Sequence, residues 1–223
     1  MNFISHFYLE QANKDNAYLM VGLAIPDLWH TQLNLYAPKH EPNDSIEKHW
    51  FKTGLQKHFL ADKIFHNSSY FLEMCDWANR EIRKAKLSEN VKRKFFLVHV
   101  GIEIAIDIVL IRLYPYLVEE FYKNFDEVCP EKIQKYMEQI YYYDFEGLSQ
   151  KIVRFAAEKR IYDYLKPEKL VSLLDQIMQK ITQSSPFSDQ DKERMLCFME
   201  VLDKKIASNY ENLFEEMSKK MKT

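Results

Sequence analysis

The stretch from Leu97 to Ile111, LVHVGIEIAIDIVLI, sets the tightest limit on how this chain can fold. Twelve of its fifteen residues are apolar or glycine, and the exceptions are His99, Glu103 and Asp107. Their i, i+4, i+8 spacing turns each about 40° round a helix from the last, which makes a single polar stripe. A helix apolar on nearly every other face belongs in a core. Ionisable groups in such a setting are costly unless they pair, lose their charge or hold a metal. The segment KHFLADKIFHN repeats the spacing with His58, Asp62 and His66. Two helices, each with imidazole and carboxylate on one stripe, point to a metal site between helices.

Scarce glycine, four residues in 223, and long periodic stretches with little strand-type alternation predict an all-α chain. The helices expected are 2–11, 17–25 (broken by Pro26), a helix from a capping box at Asp44 and Glu47 to Asn67, and 69–86. After these come a central helix at 89–113 capped by Ser88, then 116–126, 131–142, 146–164, 167–183 and one long helix at 189–220. Residues 31–43 read as a loop, and Ser184, Ser185 and Pro186 end the helix before them. No repeat, low-complexity segment or linker divides the chain. The reading is therefore one helical domain, with 1–113 carrying the polar stripes and 114–223 completing the bundle.

Three distant cysteines, Cys75, Cys129 and Cys197, form neither a disulfide framework nor a CxxC pair. Neither a signal peptide nor a membrane span is expected, and a cytoplasmic location is the simplest reading. A net charge of −2 gives no nucleic-acid footprint.

Each candidate residue has a plainer alternative. His58, Asp62 and His66 suit metal ligation, or they form a solvated face with i,i+4 pairing. His99, Glu103 and Asp107 suit a metal or catalytic role, or a structural polar network. His6 alone reads as a core histidine, and Asp27 alone as a turn residue after Pro26. No Glu-x-x-His pair occurs on two helices, which argues against a di-iron bundle.

Taken together, these segments resemble the bacterial acyl-carrier-protein phosphodiesterases. MNFISHFYLE is similar to that family's opening MN-F/Y-x-x-H-x-H. Gly22 to Asp27 matches its G-x4-D, and Gly54 to Asn67 its G-x3-H-x3-D-x3-D-N. Asp107 falls where the family has an aspartate in a later apolar helix. The likeness covers mainly residues 1–113. It implies an HD-type helical fold and a divalent metal, manganese first, with iron or zinc as alternatives. It implies metal ligands at His6, Asp27, His58, Asp62 and Asp107. The implied reaction is hydrolysis of the phosphodiester joining 4′-phosphopantetheine to holo-acyl-carrier protein. Such an ion takes imidazole and carboxylate and activates water for phosphodiester cleavage.

The chain departs from the pattern at Tyr8, Phe59, His66 and Ile108, where the family has histidine, a basic residue, aspartate and often histidine. In exchange it carries His66, His99 and Glu103, which are suited to position water or shuttle a proton as catalytic groups. REIRKAKLSENVKRK (80–94) holds seven basic and two acidic residues. It suits docking of an acidic carrier protein through Lys92, Arg93 and Lys94, or it is a solvated surface. The expected partners are acyl-carrier protein, with no nucleic acid and no membrane, and the chain is a monomer or homodimer. Two other functions stay open: an HD-type nucleotide or small-molecule phosphohydrolase, and a non-catalytic helical binding protein.

Overall fold

A computed structural model describes residues 1–29, 35–183 and 185–221. Residues 31–34 of the expected loop, and Ser184, lie outside the described residues. The described chain is an all-α multi-helix bundle with no strand among its described residues. Its helices are α1 (Phe3–Leu9), α2 (Ala17–Leu28), α3 (Ile46–His66), α4 (Ser69–Lys84), α5 (Lys94–Leu113), α6 (Tyr116–Asp126), α7 (Pro130–Tyr141), α8 (Leu148–Glu158), α9 (Pro167–Thr182), α10 (Asp189–Ala207) and α11 (Tyr210–Lys220). Among the described residues no helix is long and apolar enough to cross a membrane. The chain divides into two compact units: Met1–Ile64 with Tyr114–Arg160, and Phe65–Leu113 with Ile161–Thr223.

In the first unit α1, α2 and α6 pack on one another, and α8 packs on α6 and α7. Phe7, Leu19, Met20, Ile25, Phe51, Leu55, Phe121 and Tyr122 are among its fully buried side chains. Two glycines let α2 and α3 touch backbone to backbone. A Cβ on Gly22 would lie 2.3 Å from the Phe51 carbonyl oxygen. One on Gly54 would lie 2.1 Å from the Leu19 oxygen and 2.8 Å from the Leu23 nitrogen. No side chain fits at either place.

In the second unit α5 is the core helix, packed by α4, α9 and α10. Gly101 faces Met199 and Leu202 of α10 at ordinary contact distance. Glu216 of α11 caps the start of α4, accepting from the Ser69 amide (3.0 Å), the Ser69 hydroxyl (3.0 Å) and the Tyr70 amide (3.2 Å). Here the first-turn amides find their acceptor in a distant carboxylate as well as in Ser68.

Several helix ends differ from the sequence-based expectation. Helix α2 runs through Pro26 to Leu28, because a proline so near the helix end removes one hydrogen bond and leaves the bond from the Trp29 amide to the Ile25 oxygen intact. Ser45, not Asp44, caps α3: its hydroxyl accepts from the Lys48 amide, while Asp44 binds the Lys52 ammonium at 2.7 Å. Ser88 does not start α5. Its amide and hydroxyl both bond Asp191 at 2.8 Å, and Arg93 takes a left-handed φ of 47° just before the helix begins at Lys94. The expected helix at 146–164 stops at Glu158, where Lys159 turns left-handed. The expected helix at 189–220 breaks at Ser208 and Asn209. The Ser208 hydroxyl turns back onto the Lys205 oxygen there, so a local side-chain bond competes with the helix.

Candidate metal centres

Two clusters of ligand-type side chains form, one in each unit. Their donor atoms lie within 4.8 Å of one another: His6, Asp27 and His58 in the first unit, and His66, His99 and Glu103 in the second.

The first cluster is built on α1, α2 and α3. His6 and His58 stack with ring centroids 4.2 Å apart, and both are buried. Asp62, one turn after His58, places one oxygen against each ring. Oδ1 is 3.2 Å from His6 Nε2, and Oδ2 is 3.5 Å from His58 Nε2. Asp27 Oδ2 is 4.0 Å from His6 Nε2. The Met1 amino group donates to Asp62 Oδ1 at 2.8 Å.

His58 Nδ1 lies 2.9 Å from the Leu23 carbonyl oxygen. A carbonyl only accepts, so Nδ1 carries the proton and the neutral ring presents its lone pair at Nε2. Burial, helped by the charge of His6, pushes the His58 pKa down to about 3, so the ring is neutral at pH 7. Burial works against ionisation of Asp62, but the bond from His6 and the positive charge of the Met1 amine outweigh it. The carboxyl is held well below the usual range. A lone pair on His58 Nε2 therefore faces an anionic oxygen with no proton between them. This is the arrangement a cation relieves. A histidine whose other nitrogen is tied to a backbone carbonyl is also the form in which proteins present imidazole to metals.

The close crossing of α2 and α3 sets this up. Gly54 precedes His58 by one turn, and its backbone contact with Leu19 and Leu23 brings the imidazole to the Leu23 oxygen.

The second cluster joins the last residue of α3 to α5. His66 Nε2 and His99 Nε2 each lie 3.1 Å from the same oxygen, Glu103 Oε1. Phe71 of α4 stands edge-on to both rings, with centroids at 5.2 Å from His66 and 5.0 Å from His99. Burial alone would raise the Glu103 pKa, but hydrogen bonds from the two histidines help hold it far below the ordinary carboxylate value. The histidine side chains are 33% and 37% exposed.

The α3 stripe is thus divided. His58 and Asp62 meet His6 and Asp27, while His66 meets His99 and Glu103. Along α5 the stripe runs from half-buried at His99 and Glu103 to buried at Asp107, so His99 does not share the core setting expected of it. Asp107 is fully buried in the second unit and joins neither three-residue cluster. In the basic segment Lys92 and Arg93 are exposed. Lys94 is half-buried and donates to the Leu87 oxygen at 2.8 Å. Arg80 and Lys84 pair with Asp76 and Glu81.

The Met1 amine and the Leu23 carbonyl were not among the sequence candidates. Backbone groups carry no residue-type signal. The only trace of the Leu23 contact is the glycine one turn before His58.

No protein-family model, curated protein or solved structure matches this chain.

Proposed function

We propose that this chain is a metal-dependent phosphodiester hydrolase whose metal is held in the first unit by His6, Asp27, His58 and Asp62. The observation that carries the reading is the neutral His58 Nε2 lone pair facing the ionised Asp62 Oδ2, with His6 and Asp27 beside them. Two imidazoles and two carboxylates form a mixed donor set suited to manganese, iron or zinc. When bound, such an ion supplies Lewis acidity to a phosphoryl oxygen and lowers the pKa of water. The protein's own share is orientation. Leu23 fixes the His58 tautomer, the stacked His6 ring holds His58 in place, and burial of both rings limits water. The order of the sequence motifs makes holo-acyl-carrier protein the leading substrate, with release of 4′-phosphopantetheine.

One observation favours the smaller-substrate reading, an HD-type nucleotide or small-molecule phosphohydrolase. Arg80, Lys84 and Lys94 are engaged within the chain, so the basic segment offers an acidic protein fewer cations than its composition implies. The test is hydrolysis by manganese-loaded protein of holo-carrier protein, of a nucleotide and of an aryl phosphodiester. Asp62→Ala should lower turnover of the accepted substrate at least a hundredfold while the helical circular dichroism persists. No hydrolysis of any of the three after loading with manganese, iron or zinc overturns the proposal.

A further inference from the structure

We infer that His66, His99 and Glu103 form a second divalent-cation site, of the zinc class, made from residues of the second unit alone. This goes beyond the function proposed above and does not depend on it.

The first support is metric. A tetrahedral ion with bonds of about 2.0–2.1 Å separates its ligand atoms by about 3.3–3.4 Å. Both imidazole Nε2 atoms lie 3.1 Å from Glu103 Oε1, and all three donor atoms fall within 4.8 Å of one another. Two of the three donor separations therefore already lie within a few tenths of an ångström of what an ion needs.

The second support is convergence. The ligands come from two helices, and their two ring nitrogens aim at a single oxygen rather than at separate acceptors. His99 and Glu103 are one turn apart on α5, and His66 ends α3. Phe71 packs edge-on against both rings, and Phe65 lies 5.2 Å from His66. The aromatic wall limits ring rotation, so the site is organised before an ion arrives.

The third support is the donor chemistry. Two imidazoles and one carboxylate suit zinc over magnesium or calcium, which prefer oxygen alone. Three protein ligands leave a coordination position open. The partial exposure of His66 and His99 gives an ion a path from solvent. The competing arrangement is metal-free, with each Nε2 carrying a proton onto the shared carboxylate oxygen. Zinc would take the place of those two protons, each of which moves to Nδ1 of its own ring or is released to solvent.

The experiment is calorimetric titration of the chelator-stripped full chain with zinc, paired with the visible absorption of the cobalt-loaded protein. Wild type, His99→Gln, His66→Gln and Asp62→Ala are compared, with circular dichroism checking each fold. The expected result is one zinc equivalent that persists in Asp62→Ala and weakens at least a hundredfold in both glutamine variants, with loss of the matching cobalt absorption. If the first unit binds no metal, wild type holds this single equivalent and Asp62→Ala leaves it unchanged. The inference is overturned if His66→Gln and His99→Gln bind as many zinc equivalents as the wild type with unchanged affinity, or if the stripped wild-type chain binds no zinc. Should Asp62→Ala fail to fold, the difference in stoichiometry between wild type and His99→Gln decides the matter.

Discussion

The two clusters use the same alphabet, two histidines with carboxylate, yet their surroundings give them different chemistry. In the first unit the His6 and His58 side chains are 1% and 3% exposed. In the second, His66 and His99 are about a third exposed. Burial takes the proton from His58 and leaves its lone pair facing Asp62, whereas in the second cluster both imidazoles converge on one carboxylate oxygen. The supports differ as well. The first cluster rests on helix backbones in contact at two glycines, and the second on an aromatic side chain wedged beside its rings. Residue type alone therefore does not set the state of an imidazole–carboxylate cluster. Burial and support do.

The largest effect is expected from removing the aromatic wall. Phe71→Ala should destabilise the protein by about 3–5 kcal/mol, the usual cost of emptying a buried phenylalanine site. Chemical denaturation would measure it, and it should weaken zinc binding at His66 and His99 without altering the His58 imidazole signal in NMR spectra. Equal disturbance of both clusters would break the contrast.

Gly54→Ala tests the other support. The added methyl meets two backbone atoms that cannot move aside, so a cost of about 1–3 kcal/mol or more is expected. The His58–Leu23 hydrogen bond should be lost, read as a His58 pKa returning toward 6.5 in an NMR titration. Unchanged titration of His58 would show that the close crossing does not position the ring.

A pH dependence sharpens the comparison further. With metal removed, the folded His58 takes a proton only near pH 3, whereas the unfolded chain takes it near 6.5. Above pH 6.5 the group contributes nothing to the slope. As pH falls below 6.5 the unfolded state binds the extra proton, and stability drops by up to about 1.4 kcal/mol per pH unit. The lowered carboxyls of Glu103 and Glu216 act only below their ordinary value of 4.5, where their contribution is lost in turn as they become protonated. Denaturant midpoints between pH 4.5 and 6.5 should therefore fall with acid in the wild type and flatten in His58→Asn. An identical slope in the two proteins would place the titrating group elsewhere.

The smallest effect on stability belongs to the surface. Reversing Lys92 and Arg93 to Glu should change stability by no more than about 0.5 kcal/mol, because both side chains are exposed. It should weaken carrier-protein hydrolysis and its salt dependence while sparing an aryl phosphodiester. Equal loss on both substrates would remove the docking role from this segment.

Much of this architecture is legible in residue order. The apolar run of α5, the scarcity of glycine and the amphipathic periods of the other helices carry the all-α class, because helix periodicity is a local property of the chain. The spacing of His58 with Asp62, and of His99 with Glu103, likewise identifies pairs that a single helix brings together. Helix ends were less legible at Ser88 and at Ser208. Ser88 is held by Asp191, 103 residues away, and a distant partner of that kind leaves no mark on the local pattern.

By itself, then, the sequence determined which side chains share a helix face, since 3.6 residues per turn follows from backbone geometry alone. Only the tertiary structure decided which faces meet. It turned His66 toward Glu103. It tied His58 to a backbone oxygen and buried one pair of histidines while leaving the other pair open. Those choices depend on how closely helices cross and on what covers them. At Gly22 and Gly54 the deciding quantity is the absence of a side chain, and its meaning appears only when a second helix lies against it.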